Sequence, residues 1–266
     1  MPIVRLLSDW ASCLILDPEW LMLLATVGFI AGFVDTLAGG GGLITIPAFL
    51  FAGLSPGQAL ATNKCQAFAG TLTVSLKLMV SGHLKVRSLW PYATFAFGMA
   101  LLGAWTLREV SEADWLERAV PLLLLLAAGF FGFVRLPQAS LKAIPVFGIL
   151  AVAGIATIGF YDGFFGPGTG SLFALLMISR LGLSLRDATI HAKLFNAMTN
   201  FAAFLLFVTS DLVNWSAVAV MIPAQILGAL VGTRAMLGRG IVLIRPLVVL
   251  MCTLMAIKLA SEAWLP

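Results

Sequence analysis

The sequence predicts an all-α, polytopic integral membrane protein built from two homologous, inverted repeats. Three observations predict it. Apolar residues make up 61% of the 266 and charged residues only 11%, where a soluble domain carries about 25% charged residues. Eight apolar stretches reach the roughly 20 residues that a helix needs to span a bilayer. One series of Asp, glycine run, Gly-Leu-Ser and Lys occurs twice in the same order.

A chain with so little polar surface cannot face water on all sides. Inside lipid the backbone must satisfy itself, which leaves helices or closed barrels. The stretches are continuous, without the alternation of a barrel strand, so they read as helices. In chain order they are 20–38, 59–80, 89–107, 116–134, 143–160, 187–208, 215–235 and 243–263. Two shorter stretches, 43–53 and 171–181, directly follow glycine-rich breaks: Gly39 to Gly42, and the run GPGTG from Gly166 to Gly170. Such runs break helices, and a broken helix in a membrane needs protein or a cavity around it. The expectation is eight full-length transmembrane helices plus two short broken or re-entrant ones. Trp10 and Trp20 bracket an amphipathic stretch suited to the interface. Ser8 and Asp9 interrupt the apolar start and no small-x-small site follows, so no cleaved signal peptide is expected.

The repeat divides the chain at its middle: an N-terminal unit 1–135, a cytoplasmic linker 136–142 and a C-terminal unit 143–266. Gly53, Ala59 and Lys64 match Gly182, Ala188 and Lys193 at a constant offset of 129, and Leu102-Gly103-Ala104 matches Leu227-Gly228-Ala229 at 125. Charge then decides orientation. If the short segments cross the membrane, Lys85, Arg87, Arg135, Lys142, Arg180, Arg186, Arg234, Arg239 and Arg245 share one side. Arg5, Arg108, Arg118 and the acidic loop 109–117 fall on the other. If the segments do not cross, the positive residues split almost evenly. Positive charge gathers in the cytoplasm, which favours five crossings per half, an inverted second repeat and both termini in the periplasm. The difficulty is length, since 11 to 14 helical residues rise only about 16–21 Å against a core of about 30 Å.

Several function classes drop out. The net charge of +4 reflects cytoplasmic Lys and Arg, and no basic cluster is interleaved with aromatics, so nucleic acid is not an expected partner. Cys13, Cys65 and Cys252 are scattered, with no CxxC, which argues against a metal site or a disulfide framework. No HExxH, GxSxG or nucleotide-binding motif is present, so neither an enzyme nor a cofactor is expected.

The candidate site residues are the ionisable and polar groups that lipid would reject. Asp35 and Asp162 each lie beside a glycine run, and an ionisable residue in the bilayer costs at least about 2.5–3.5 kcal/mol on insertion scales. Each could carry a proton, cap the short helix that follows, or do both. Lys64 and Lys193 lie about five residues into long apolar helices, where snorkelling to the interface competes with a role as substrate or counter-charge site. Within each half, Asp35 with Lys64 and Asp162 with Lys193 could form two symmetry-related ion pairs. Gly40, Gly41, Gly42, Gly168, Thr169 and Gly170 sit where the short helices begin, and free N–H groups there would form an anion site. Close helix packing is the other use for such glycines. Asn63 adjoins Lys64. Lys193, Asn196 and Asn200 share one helix face, as a binding stripe or as interhelical glue. His191 could relay protons or simply be solvated.

These motifs resemble the TauE/SafE sulfite-exporter family. The resemblance rests on GFVD from Gly32 to Asp35 with Gly39 to Gly42, ATNK from Ala61 to Lys64, GFYDGFFGPGTG from Gly159 to Gly170, and AKLFN from Ala192 to Asn196 with Thr199 and Asn200. It covers nearly the whole chain, from Trp20 to Trp264. It implies a multi-pass bacterial inner-membrane permease for sulfite, sulfonates or related small anions. Ile190, His191 and Ala192 stand where the first half has Ala61, Thr62 and Asn63, so the two halves are not chemically equivalent.

The expected function is a secondary transporter of a small anion such as sulfite or an organosulfonate, working by alternating access with proton coupling. The expected partners are that anion and the lipid bilayer, and a homodimer is compatible with the sequence. An anion channel on the same scaffold and a non-transporting membrane protein are the alternatives.

Overall fold

The computed structural model describes residues 18–84, 86–133 and 148–237. Among them the chain is all-helical: α1 Pro18–Ala38, α2 Gly42–Phe51, α3 Pro56–Val80, α4 Trp90–Val110, α5 Asp114–Phe133, α6 Ile149–Phe164, α7 Thr169–Leu181, α8 Leu185–Phe207 and α9 Trp215–Leu237. The stretch around Trp10, the linker 136–142 and the span 243–263 lie outside the described residues.

Local chemistry explains the boundaries. Both Gly-Leu-Ser triplets perform the same two tasks. Gly53 (φ +85°) and Gly182 (φ +65°) turn the chain after α2 and α7 in the left-handed region, which glycine enters without a Cβ penalty. Ser55 and Ser184 then cap α3 and α8, accepting from the backbone N–H of Gln58 and Asp187. In α3 the Gln58 side chain accepts in return from the Ser55 N–H, completing a capping box.

Helices α1, α3, α4, α5, α8 and α9 have 20–25 residues, or about 30–38 Å of rise, which matches a bilayer core. Helices α2 and α7 have 10 and 13 residues. Among the described residues, α9 alone is both long and uniformly apolar enough to cross a membrane by composition. Helices α3 and α8 have the length, and the polar side chains they bury lower their hydropathy.

The distribution of polarity is inside out. Lys64, Lys193, Asp162, Gln66, Gln225, Asn63, Asn196 and Asn200 are buried, whereas Met22, Leu126, Leu150 and Val80 are exposed. In water this arrangement would leave buried polar groups inside and an apolar surface outside. In lipid it is the arrangement expected of ionisable residues facing the bundle interior.

Helix α1 lies along α9, α4 lies along α6, and α3 and α8 meet at the centre. Glycines set how close the outer pairs come. A Cβ on Gly228 would stand 2.0 Å from the Phe29 carbonyl oxygen, and one on Gly103 would stand 2.1 Å from that of Phe160. Gly32 meets the Gln225 carbonyl and Gly163 the Ala100 carbonyl in the same way. Only small residues let backbones approach so closely.

Candidate functional site

The two glycine breaks touch each other at the centre of the bundle. Gly39 (φ +67°) lies against Gly170, so that a Cβ on Gly39 would stand 2.5 Å from the Gly170 Cα. Gly42 faces Pro167 across the same contact, and the Ser171 hydroxyl donates to the Ala38 carbonyl at the end of α1. This contact places the end of α1 over the start of α7, and the end of α6 beside the start of α2.

That crossing decides the ion pairs. Lys64 Nζ on α3 meets Asp162 Oδ1 on α6 at 2.5 Å, and Lys193 Nζ on α8 stands 3.7 Å from Asp35 Oδ2 on α1. The expectation of pairs within each half is therefore corrected: both pairs run between halves. The physical reason is the meeting of the breaks, which brings each lysine under the broken helix of the other half. Each ammonium group also reaches the C-terminal end of another helix, α6 for Lys64 and α1 for Lys193, where the macrodipole favours a cation. The Lys193 ammonium donates to the Asp35 carbonyl as well. A Cβ on Gly166 would stand 2.2 Å from Lys64 Nζ, so that lysine fills the space that glycine leaves.

The partners of the two carboxylates differ. Asp162 is fully buried and accepts a second hydrogen bond, from the Thr199 hydroxyl on α8. Asp35 is 15% exposed, and its Oδ1 accepts from the Gly41 backbone N–H at 3.3 Å. Of the N–H groups expected to be free at the start of α2, that of Gly41 is taken by Asp35. The Leu43 and Ile44 N–H groups turn back to the Gly40 and Gly41 carbonyls. At the start of α7, Gly168 takes φ +89° and the Thr169 hydroxyl donates to the Gly166 carbonyl.

Amide side chains complete the site. Asn63 Oδ1 accepts from the Thr45 hydroxyl at 2.6 Å and from Gln66 Nε2 at 3.3 Å. These bonds orient its Nδ2 toward Gly42, where a Cβ would lie 3.4 Å from it. Asn196 Oδ1 accepts from Asn200 Nδ2 at 2.8 Å. Its own Nδ2 lies 3.6 Å from where a Gly170 Cβ would stand. Two amide donors and two ammonium groups therefore converge on the contact between the breaks. Donors at such a density suit an oxyanion.

The structure thus gathers Asp35, Gly40, Gly41, Gly42, Asn63, Lys64, Asp162, Gly168, Thr169, Gly170, Lys193, Asn196 and Asn200 around one point. His191 stands apart, with Nδ1 against the Asp187 carbonyl near the start of α8. Thr45 and Gln225 belong to the surroundings of the site and were not candidates from sequence. A single Thr or Gln inside an apolar span carries no motif. An apolar cavity of about 380 Å³ lies elsewhere, on the outer side of α3 and α8 beside Leu76, Met79 and Trp90.

Comparison with known proteins agrees with these motifs. The family described as Sulfite exporter TauE/SafE matches residues 24–259. A "Probable membrane transporter protein" of Haemophilus influenzae is 38% identical over 251 residues, covering 92% of this chain and 97% of that protein. "Probable membrane transporter protein YfcA" of Escherichia coli K12 is 36% identical, covering 97% and 96%. "Probable membrane transporter protein ORF9" of a Sinorhizobium species is 39% identical, covering 91% and 93%. No solved structure matches. A family match over nearly the whole chain, and relatives aligned almost end to end, lead to one conclusion: the chain belongs to the TauE/SafE sulfite exporter family.

Proposed function

We propose that this protein is a secondary transporter of the bacterial inner membrane. Its substrate is a small oxyanion, sulfite or an organosulfonate, bound where the two glycine breaks meet. One observation carries the reading: two buried ion pairs cross between the halves and converge with amide donors at that contact. A bilayer-embedded protein has no structural need for four ionisable groups at its centre, and such groups mark ion and substrate paths. Ion pairs that join two bundles can also break and re-form as the bundles rock, as alternating access requires.

The two halves act as inverted repeats. Paired approaches support this: Gly28 and Gly32 on α1 meet the α9 backbone at Met221 and Gln225, and Gly159 and Gly163 on α6 meet the α4 backbone at Ala96 and Ala100. With five crossings per half, both termini lie in the periplasm.

The test is sulfite flux into proteoliposomes, with thermal stabilisation of the purified protein by sulfite, sulfate, thiosulfate, taurine and acetate as a binding assay. Wild type carries sulfite and is stabilised by it, and Lys64→Ala and Asp162→Asn abolish flux. Unchanged flux in both variants refutes the site.

A further inference from the structure

The proposed site is electrically balanced. Lys64 offsets Asp162 and Lys193 offsets Asp35, so a bound anion would leave one uncompensated negative charge deep in the protein, which low dielectric penalises heavily. A proton taken up by one carboxylate restores neutrality and frees its lysine for the anion. Asp35, Lys193, the proton and a monovalent anion such as hydrogen sulfite or a monosulfonate then sum to zero, as Asp35 and Lys193 did before. Two carboxylates could serve, and their surroundings are not alike.

We propose that Asp35, and not Asp162, takes up this proton, and that water held by Gln66 and Gln225 in the packing of α1, α3 and α9 shifts the pH at which it does so. This deepens the transport reading and rests on it for the identity of the anion. Asp162 is held at 2.5 Å by Lys64 and bonded by Thr199, with 1% exposure. Asp35 stands 3.7 Å from its lysine and is 15% exposed. The position matching Thr199 in the first half is Gly70, so Asp35 has no equivalent hydroxyl. The Gln225 side chain fills that place instead, and a Cβ on Gly70 would meet Gln225 Cγ and Nε2 at 2.8 Å.

Two orphaned oxygens lie on α3 and α9, which pack against each other. Gln66 and Gln225 are each 1% exposed, yet no donor among the described residues reaches Gln66 Oε1 or Gln225 Oε1. Buried acceptors of this kind are met by water or a ligand. The Gln66 amide is oriented by its donation to Asn63 Oδ1, so the oxygen is the end left over. Asn63 Oδ1 also accepts from the Thr45 hydroxyl, and the Gly41 N–H donates to Asp35. Gln225 stands on α9 beside Gly32, one turn before Asp35 on α1. The matching positions around Asp162 are apolar: Phe195 for Gln66 and Ala100 for Gln225.

Among the described residues, no other titratable group competes at Asp35. Of those on the helices packed against α1, Lys193 reaches it. Lys64 is held by Asp162, and Lys77 donates to the Leu230 carbonyl. His191 lies against the Asp187 carbonyl, and Arg180, Arg186, Asp187 and Arg234 are exposed. Cys65 is buried on α3.

The experiment separates this inference from the anion reading. Infrared difference spectra of the full-length protein in lipid are recorded over the pH range in which it stays folded, without substrate. A protonated-carboxyl band that titrates in wild type is expected to vanish in Asp35→Asn, to persist in Asp162→Asn, and to return in Asp35→Glu. Gln66→Leu and Gln225→Leu shift its midpoint, whereas a purely structural role would change the melting temperature alone. Asn at position 35 still accepts from the Gly41 N–H, which protects the fold. In sulfite-loaded proteoliposomes, Asp35→Asn loses the acceleration by an inward-acid gradient. A band lost in Asp162→Asn, no titrating band in wild type, or flux driven by sodium instead of protons overturns the proposal. Loss of sulfite stabilisation with an intact Asp35 band would overturn only the substrate.

Discussion

The two ion pairs at the centre of this protein occupy corresponding places and differ in almost every physical respect. Lys64 and Asp162 form a short, dry pair, locked by Thr199. Lys193 and Asp35 form a long pair with partial exposure and a backbone N–H partner. The difference shows how a duplicated scaffold can specialise. One copy of a charged pair fixes the geometry, while the other is left loose enough to exchange its partner.

The largest test of that comparison removes a charge. Lys64→Ala strands Asp162 in a dry core, and breaking a buried pair destabilises by about 3–5 kcal/mol. Lys193→Ala strands Asp35, which keeps the Gly41 N–H and some access to solvent, so its loss is smaller. Thermal unfolding in nanodiscs ranks the two. Equal losses, or the reverse order, would remove the distinction between a fixed and a working pair.

The second test addresses the breaks. A Cβ on Gly39 would meet backbone, the Gly170 Cα at 2.5 Å and the Ser171 nitrogen at 2.7 Å. A Cβ on Gly166 would meet the tip of a lysine side chain at 2.2 Å. Backbone cannot yield and a lysine tip can. Both positions are left-handed, which costs an L-residue about 1–2 kcal/mol. Gly39→Ala is therefore expected to lower the melting temperature more than Gly166→Ala. Gly166→Ala in turn abolishes sulfite flux by moving Lys64 off Asp162. If Gly166→Ala transports normally, the tight pair is not needed for function.

The third test makes the two carboxylates more alike. Thr199→Val removes a hydrogen bond to a charged group, worth about 1.5–3 kcal/mol. Thermal unfolding in nanodiscs reads the loss, and an unchanged melting temperature would show that the Thr199 hydroxyl does not hold Asp162.

Much of this arrangement was legible in the sequence, and the limits have a physical cause. The breaks at the runs from Gly39 and Gly166 followed from composition, whereas the caps at Ser55 and Ser184 and the turns at Gly53 and Gly182 emerge only in the structure. The candidacy of Asp35 and Asp162 followed from what lipid rejects, whereas for Lys64 and Lys193 the sequence leaves snorkelling open and the structure buries both. The pairing did not follow, because spacing along a chain says nothing about which broken helix a lysine reaches once two breaks stack on each other. Gln225 was illegible for a related reason. A lone amide within an apolar span carries information only when Gly70 is known to face it.

The smallest expected effect concerns the caps, where the halves again differ in detail. Ser55 belongs to a reciprocal capping box with Gln58, whereas Ser184 accepts from the Asp187 N–H and donates to the Asp187 carboxylate. Losing a serine cap costs about 1 kcal/mol. Ser55→Ala also removes the geometry that holds the Gln58 side chain on the Ser55 N–H, while in Ser184→Ala the Asp187 carboxylate remains at a helix N-terminus, where the dipole still favours it. Ser55→Ala should therefore be the more destabilising of the two, by a few tenths of a kcal/mol on the scale of such charge–dipole terms. Both should leave sulfite flux per folded molecule unchanged, since neither serine touches the charged centre. A flux defect in either variant would show that the loops after the short helices take part in transport, and the boundary drawn here between scaffold and site would have to move outward.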